Sequence, residues 1–159
     1  MAELKLNNDG FFFFTYKELT QSDTAVANKI GNIPNATEKL NLKCLVQNML
    51  DPIRIAYGSA MNVSSGFRNE AINKLVGGSP TSNHRLGYAA DVSSNSEQGA
   101  KAIYEIAKMF KNFDEVYLES RDVKDNTGKI VRVSWWVHIA YKNSGNRNKV
   151  GRLHNDKFI

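Results

Sequence analysis

Phe113-Asp114-Glu115-Val116-Tyr117-Leu118-Glu119, followed after the turn-like Asp125-Asn126-Thr127-Gly128 by the run Ile130 to Tyr141, decides the fold class of this 159-residue chain. Both flanks are β-prone and the centre is turn-forming, so the stretch reads as a hairpin. Upstream, Leu42, Leu45, Val46, Met49 and Ile53 recur at the three-and-four spacing of one helix face and predict a helix within residues 35–57. Pro52 removes a backbone donor, which predicts a kink or restart, and Gly58 is a natural stop. A second helix is predicted from Ser96 as N-cap, Glu97 in the first turn, and Ala100, Ile103, Ala107 and Phe110 along one face. Between the helices lies a glycine- and serine-rich region, Ser64 to Ser94, with a short helical stretch near Asn69 to Leu75. Segments of that length usually hold function. Helices first and an antiparallel pair after imply an α+β fold, a small antiparallel sheet with helices packed mainly on one face in a single domain.

A chain with 42% hydrophobic residues can build one core. The single cysteine, Cys44, excludes a disulfide scaffold and a thiolate zinc finger, and beside an apolar helix stripe it reads as a small hydrophobe rather than a nucleophile. Phe11 to Phe14 is too short for a membrane span and lacks a basic flank, so neither a signal peptide nor membrane insertion is expected. The net charge is +5, yet Lys142, Arg147, Lys149, Arg152 and Lys157 stand against Asp156 alone, so four of those units lie in residues 142–159. The chain therefore divides into a nearly neutral domain, 1–141, and a basic C-terminal tail, 142–159. The tail lacks the interleaved aromatics of a stacking platform, so no nucleic-acid partner is expected. Attraction towards an anionic cell wall is the better use of its charge.

Two of the three histidines keep unusual company. His84 precedes Asp91 across the small residues Gly87, Ala89 and Ala90, which let the backbone fold back. His138 lies in Trp136-Val137-His138-Ile139-Ala140, where alternation sets Trp136, His138 and Ala140 on one face and Val137 and Ile139 on the other. Two imidazoles and one carboxylate suit zinc, with the fourth position left open. His154, in the tail, reads as a surface residue without a role.

Four ordered segments, Ser64-Ser65-Gly66-Phe67-Arg68-Asn69, Asn73 to Gly78, Ser82 to Asp91, and Trp136-Val137-His138, resemble the zinc D-alanyl-D-alanine carboxypeptidase and L-alanyl-D-glutamate endopeptidase family, peptidase family M15. Ser82, His84, Gly87, Ala89 and Asp91 fill every fixed position of its S-x-H-x-x-G-x-A-x-D pattern. The chain looks nearest to the compact phage and bacterial branch, which includes endolysins. The resemblance implies one Zn2+ held by His84, Asp91 and His138, with Arg68 facing substrate or oxyanion and Ser82 hydrogen-bonding near the metal. It also implies peptidoglycan stem peptides as substrate; a monomer is expected, and the absent signal points to an enzyme cytoplasmic until released onto the cell wall, of phage type, or to a cytoplasmic one. Many relatives place a glutamate three residues before the last histidine, where this chain has Trp135. The compact branch ends its first hairpin strand in a glutamate, which makes Glu119 the first candidate for the base and Glu115 the second. The alternative is an inactive cell-wall-binding or virion module of the same fold.

Hairpin register bears on that choice. A two-residue turn puts Glu115, Tyr117 and Glu119 on the face of His138. A three-residue turn with Gly128 left-handed puts them on the other face unless a second bulge restores the pairing.

Overall fold

The computed structural model describes residues 3–159. Its helices are α1 (Tyr16–Thr20), α2 (Asp23–Ala27), α3 (Ala36–Leu45), α4 (Asp51–Tyr57), α5 (Glu70–Leu75) and α6 (Glu97–Lys108). Its strands are β1 (Asn62–Ser65), β2 (Ala89–Ser93), β3 (Glu115–Lys124), β4 (Ile130–Ala140), β5 (Lys149–His154) and β6 (Lys157–Phe158), in the sheet order β1-β2-β4-β3-β5-β6.

The predicted first helix is α3 and α4 joined by a π-helical turn at Val46–Leu50. Asn35 starts it with a reciprocal cap, its side chain accepting from Glu38 N while the Glu38 carboxylate accepts from Asn35 N. Pro52 sits in the first turn of α4, where its missing donor costs least, and the wider turn before it absorbs the change of pitch. Gly58 closes the helix at φ 77°, a left-handed conformation glycine adopts without strain. Leu42, Leu45, Val46, Met49 and Ile53 are all fully buried. Each such side chain contributes about 1.5–3 kcal/mol. Ser96 caps α6 through Gly99 N, and α6 buries Ala100, Ile103 and Ala107 against the same core.

Ala90 and Val92 of β2, Val116 and Leu118 of β3, and Val137 and Ile139 of β4 form the sheet's contribution to that core. Alternation sends Asp91, Glu115, Tyr117, Glu119 and His138 to the opposite face. One face is therefore closed by helices and the other left for chemistry. No helix among the described residues is long and apolar enough to cross a membrane.

The sheet departs from the sequence expectation in being mixed. β5 runs parallel to β3, pairing Glu115 with Lys149 through Ser120 with His154, and β6 returns antiparallel to β5. Residues read as a tail thus supply two strands. Their side chains alternate poorly in hydrophobicity, because β5 is exposed or half-exposed along its length and gives little periodic signal. His154, read as idle, places Nδ1 2.8 Å from Ser120 Oγ and Nε2 3.4 Å from Asp122 Oδ1, pinning β5 to β3.

The segment before β5 is anchored more strongly. Arg147 donates from Nε and Nη2 to the two carboxylate oxygens of Asp114, at 2.9 and 2.7 Å, and Asp114 is fully buried. Burial alone would raise the Asp114 carboxyl, but Arg147, Asn83 and Lys142 hold it down to about 2. A carboxyl lowered in the folded state stabilises above its unfolded value of about 4, and that contribution is lost as pH falls towards 2. Arg147→Ala is expected to cost about 2–3 kcal/mol, less than a fully buried pair, because Arg147 is part-exposed and Lys142 remains near. Urea unfolding at pH 7 and pH 3 checks this. The deficit should be smaller at the acid end, and an equal deficit at both would refute the ion-pair account.

Candidate metal centre

His84, Asp91 and His138 arrive from three elements. The 3-10 turn Asn83–Leu86 carries His84 and is capped by Ser82, whose Oγ accepts from His84 N at 3.3 Å. Gly87 ends that turn at φ 78°, with its Cα so close to Glu38 O that any Cβ would clash with it. β2 carries Asp91 and β4 carries His138, paired directly across the ladder. Asp91 Oδ1 lies 3.4 Å from His84 Nε2 and 3.0 Å from His138 Nδ1. One ligand atom from each residue lies within 4.8 Å of the others. Tetrahedral ligation at roughly 2.0–2.1 Å needs ligand atoms roughly 3.3 Å apart, so the set fits zinc without a change of fold.

The surroundings prepare these atoms for a cation. His84 Nδ1 lies 2.7 Å from Gly66 O; a carbonyl only accepts, so Nδ1 carries a proton and Nε2 is the ring nitrogen turned to Asp91. Gly66 itself packs where a Cβ would meet Leu19 O at 2.2 Å, so this carbonyl's approach requires glycine. Burial opposes ionisation of Asp91, yet the two histidines outweigh it and hold the carboxyl far below the ordinary range. For His138, burial disfavours the charge but Asp91 and Glu115 prevail, and the imidazolium is held up to about 10. Without a cation the site keeps a proton where a metal would stand, and metal uptake releases it.

Glu115, Tyr117 and Glu119 share the face of His138, Tyr117 pairing with His138 and Glu119 with Trp136. The turn is the three-residue kind, with Asp125 N bonded to Lys129 O and Gly128 at φ 86°. A bulge between Val123 and Lys124 then restores the pairing. Trp135 lies on the opposite face, packed against the core with Lys101 Nζ 5.2 Å from its ring centroid. A glutamate at that position of this strand would face the helices.

The two glutamates differ in environment. Glu115 accepts from Asn83 Nδ2, lies 3.5 Å from His138 Nε2 and 3.6 Å from Arg147 Nη2; despite burial it is held down to about 2. Burial, with the neighbouring charge of Asp91, pushes Glu119 up to about 7. Arg68 directs Nη1 at Ser65 Oγ and Nη2 at Ser82 Oγ, both at 3.4 Å, and its Nε is buried without a partner among the described residues. Burial lowers its affinity for its proton while Asp91 and Glu119 oppose the shift.

The sequence missed the support around the centre. Asn83 donates to both Asp114 and Glu115, which couples the His84 turn to β3, and the Tyr117 ring stacks on His138 at 5.6 Å with Phe158 of β6 against its edge. These are long-range contacts, with no local pattern to announce them.

A family model described as Peptidase M15 matches residues 13–140. The zinc D-Ala-D-Ala carboxypeptidase of Streptomyces albus G is 33% identical over 96 residues, which are 60% of this chain and 36% of that protein. The chain thus aligns with about a third of the length of the curated relative it matches.

Proposed function

The chain belongs to the peptidase M15 family, and from that premise we propose that it is a zinc peptidase hydrolysing an amide bond in peptidoglycan stem peptides. The bond is of the D-alanyl-D-alanine or L-alanyl-D-glutamyl type, and release during phage lysis is one setting for it. The observation that carries this reading is the convergence of His84, Asp91 and His138, with the His84 tautomer fixed by Gly66 O.

Zinc held by these three residues would polarise the peptide carbonyl and lower the pKa of water to about 7. Glu119, buried on the same face with its carboxyl pushed up by that burial, takes a proton and returns it to the leaving amine. Arg68 steadies a carbonyl oxygen as negative charge grows on it, or a peptide carboxylate. Ser82 orients Arg68 and caps the turn bearing His84. The motivation for an inactive module was Trp135, which faces the helices, while Glu119 supplies a carboxylate on the site face.

Full-length protein with one equivalent of zinc, incubated with defined muropeptides, is expected to give one product series by mass spectrometry. Loss of terminal D-alanine marks a carboxypeptidase, and separation of L-alanine from D-glutamate an endopeptidase. Cleavage should stop with a chelator and return with zinc. Intact muropeptides after incubation with zinc-loaded protein would overturn the reading.

A further inference from the structure

Beyond the metal cluster, the site face continues along the β3–β4 hairpin. Glu119 pairs with Trp136, Arg121 with Ser134, and Val123 with Arg132, all in the register that sets Tyr117 against His138. A cleft of about 470 Å³ follows this strip, its wall running from Asp91 past Trp136 to Arg121, Ser134 and Arg132. That volume falls within the range of ligand sites.

Past Asp91 and Glu119, towards the hairpin end, the charge along this wall is one-sided. Asp91, the carboxylate on it, belongs to the metal cluster. Arg132 donates from Nη1 to Ser134 Oγ at 2.8 Å and has no carboxylate within ion-pair distance among the described residues. Arg121 contacts Asp156 at 2.5 Å, but both side chains are more than half exposed, 53% and 70%, and such a pair exchanges readily with a ligand. Its guanidinium lies 5.7 Å from the Trp136 ring centroid, which holds the charge over the cleft wall.

We infer that the hairpin end of the cleft is a carboxylate-binding subsite, in which Arg132, with Arg121, grips an acidic residue of the substrate remote from the bond cut. The inference rests on the peptidase reading and deepens it. Distance selects the class of substrate. At roughly 3.3 Å per strand residue, Arg121 stands about 13 Å along the sheet from Tyr117, and Arg132 about 20 Å from His138. An extended peptide spans such lengths in about four to six residues, and the long arginine side chains shorten the reach by one or two. A carboxylate adjacent to the scissile bond falls short of the subsite. One about three or more residues away fits, as the glutamyl α-carboxylate does when the D-alanyl-D-alanine bond of a stem peptide lies at the metal. Arginine suits the task because its planar fork takes both carboxylate oxygens.

The test compares two synthetic pentapeptides of stem composition ending in D-Ala-D-Ala, identical except that the glutamyl α-carboxylate is free in one and a carboxamide in the other. Binding to the full chain is read from the fluorescence of its two tryptophans, of which Trp136 lies on the cleft face. This readout needs no turnover. The free carboxylate should bind about tenfold more tightly than the carboxamide. Arg132→Ala should reduce that ratio to within about twofold, and Arg132→Glu should invert it, with near-ultraviolet circular dichroism confirming the fold of each. Equal binding of the two peptides, binding of neither, or a ratio unchanged in both variants would overturn the subsite. Discrimination in binding without cleavage of either peptide would overturn the peptidase reading instead and leave the subsite standing.

Discussion

His138→Ala is expected to lower zinc affinity about 100- to 1000-fold and to take peptide hydrolysis down with it. The magnitude follows from dividing the roughly 10–16 kcal/mol of a structural zinc site among four ligands, which gives about 2.5–4 kcal/mol for each. His138 is also the hub of the cluster, with Asp91 on one ring nitrogen and Glu115 near the other. Its removal leaves Asp91 with His84 alone, at 3.4 Å. Two carboxylates then face each other without the intervening cation, so the metal-free variant should also unfold at lower temperature. Competition against a chromophoric chelator measures affinity, and circular dichroism separates lost metal from lost fold. His154→Ala is the matched control, since that imidazole bonds Ser120 and Asp122 and takes no part in the cluster. Zinc affinity unchanged in His138→Ala would remove the site from the molecule.

The sequence made the centre legible for a physical reason. A metal site needs few residue types, and here two ligands lie seven residues apart around a glycine that ends a turn, while the third lies on a strand whose alternation is visible in Val137 and Ile139. The helices were legible because Leu42 to Ile53 and Ala100 to Ala107 keep one buried face. What stayed hidden was non-local. β2 is Ala89-Ala90-Asp91-Val92-Ser93, too short and alanine-rich to read as a strand, and it forms because β1 and β4 pair on both sides of it. β5 forms because Arg147 meets a buried Asp114 and the backbone beyond it falls in register with β3. The charge excess of residues 142–159 sits in a segment that forms two strands, and one of its guanidiniums neutralises a buried carboxylate. The hairpin register depended on two opposing bulges, and only coordinates show that they cancel.

Glu119→Gln is expected to lower kcat about 100- to 10,000-fold, the usual worth of a positioned general base, while zinc affinity changes less than about threefold. Glutamine keeps the shape and removes the proton acceptor. Glu115→Gln should cost less in kcat, for a reason the geometry supplies. His138 above all, with Tyr117 and Arg147, holds Glu115 down to about 2 despite its burial, so it gives up its proton too readily to accept another at neutral pH. Glu119 has no such donors among the described residues, and burial with the Asp91 charge pushes it up to about 7. The sign of the pH dependence follows: a base works when ionised, so kcat should rise with pH through the Glu119 titration, and a cation bound beside it pulls that midpoint below 7. The acid limb should therefore lie below pH 7 in the parent protein and vanish from the residual activity of Glu119→Gln. The opposite pattern, an intact limb in Glu119→Gln and its loss in Glu115→Gln, would move the base to Glu115. Glu115 would then have to leave Asn83 and Arg147 before catalysis, and Arg147→Ala would raise rather than lower the turnover of the molecules that remain folded.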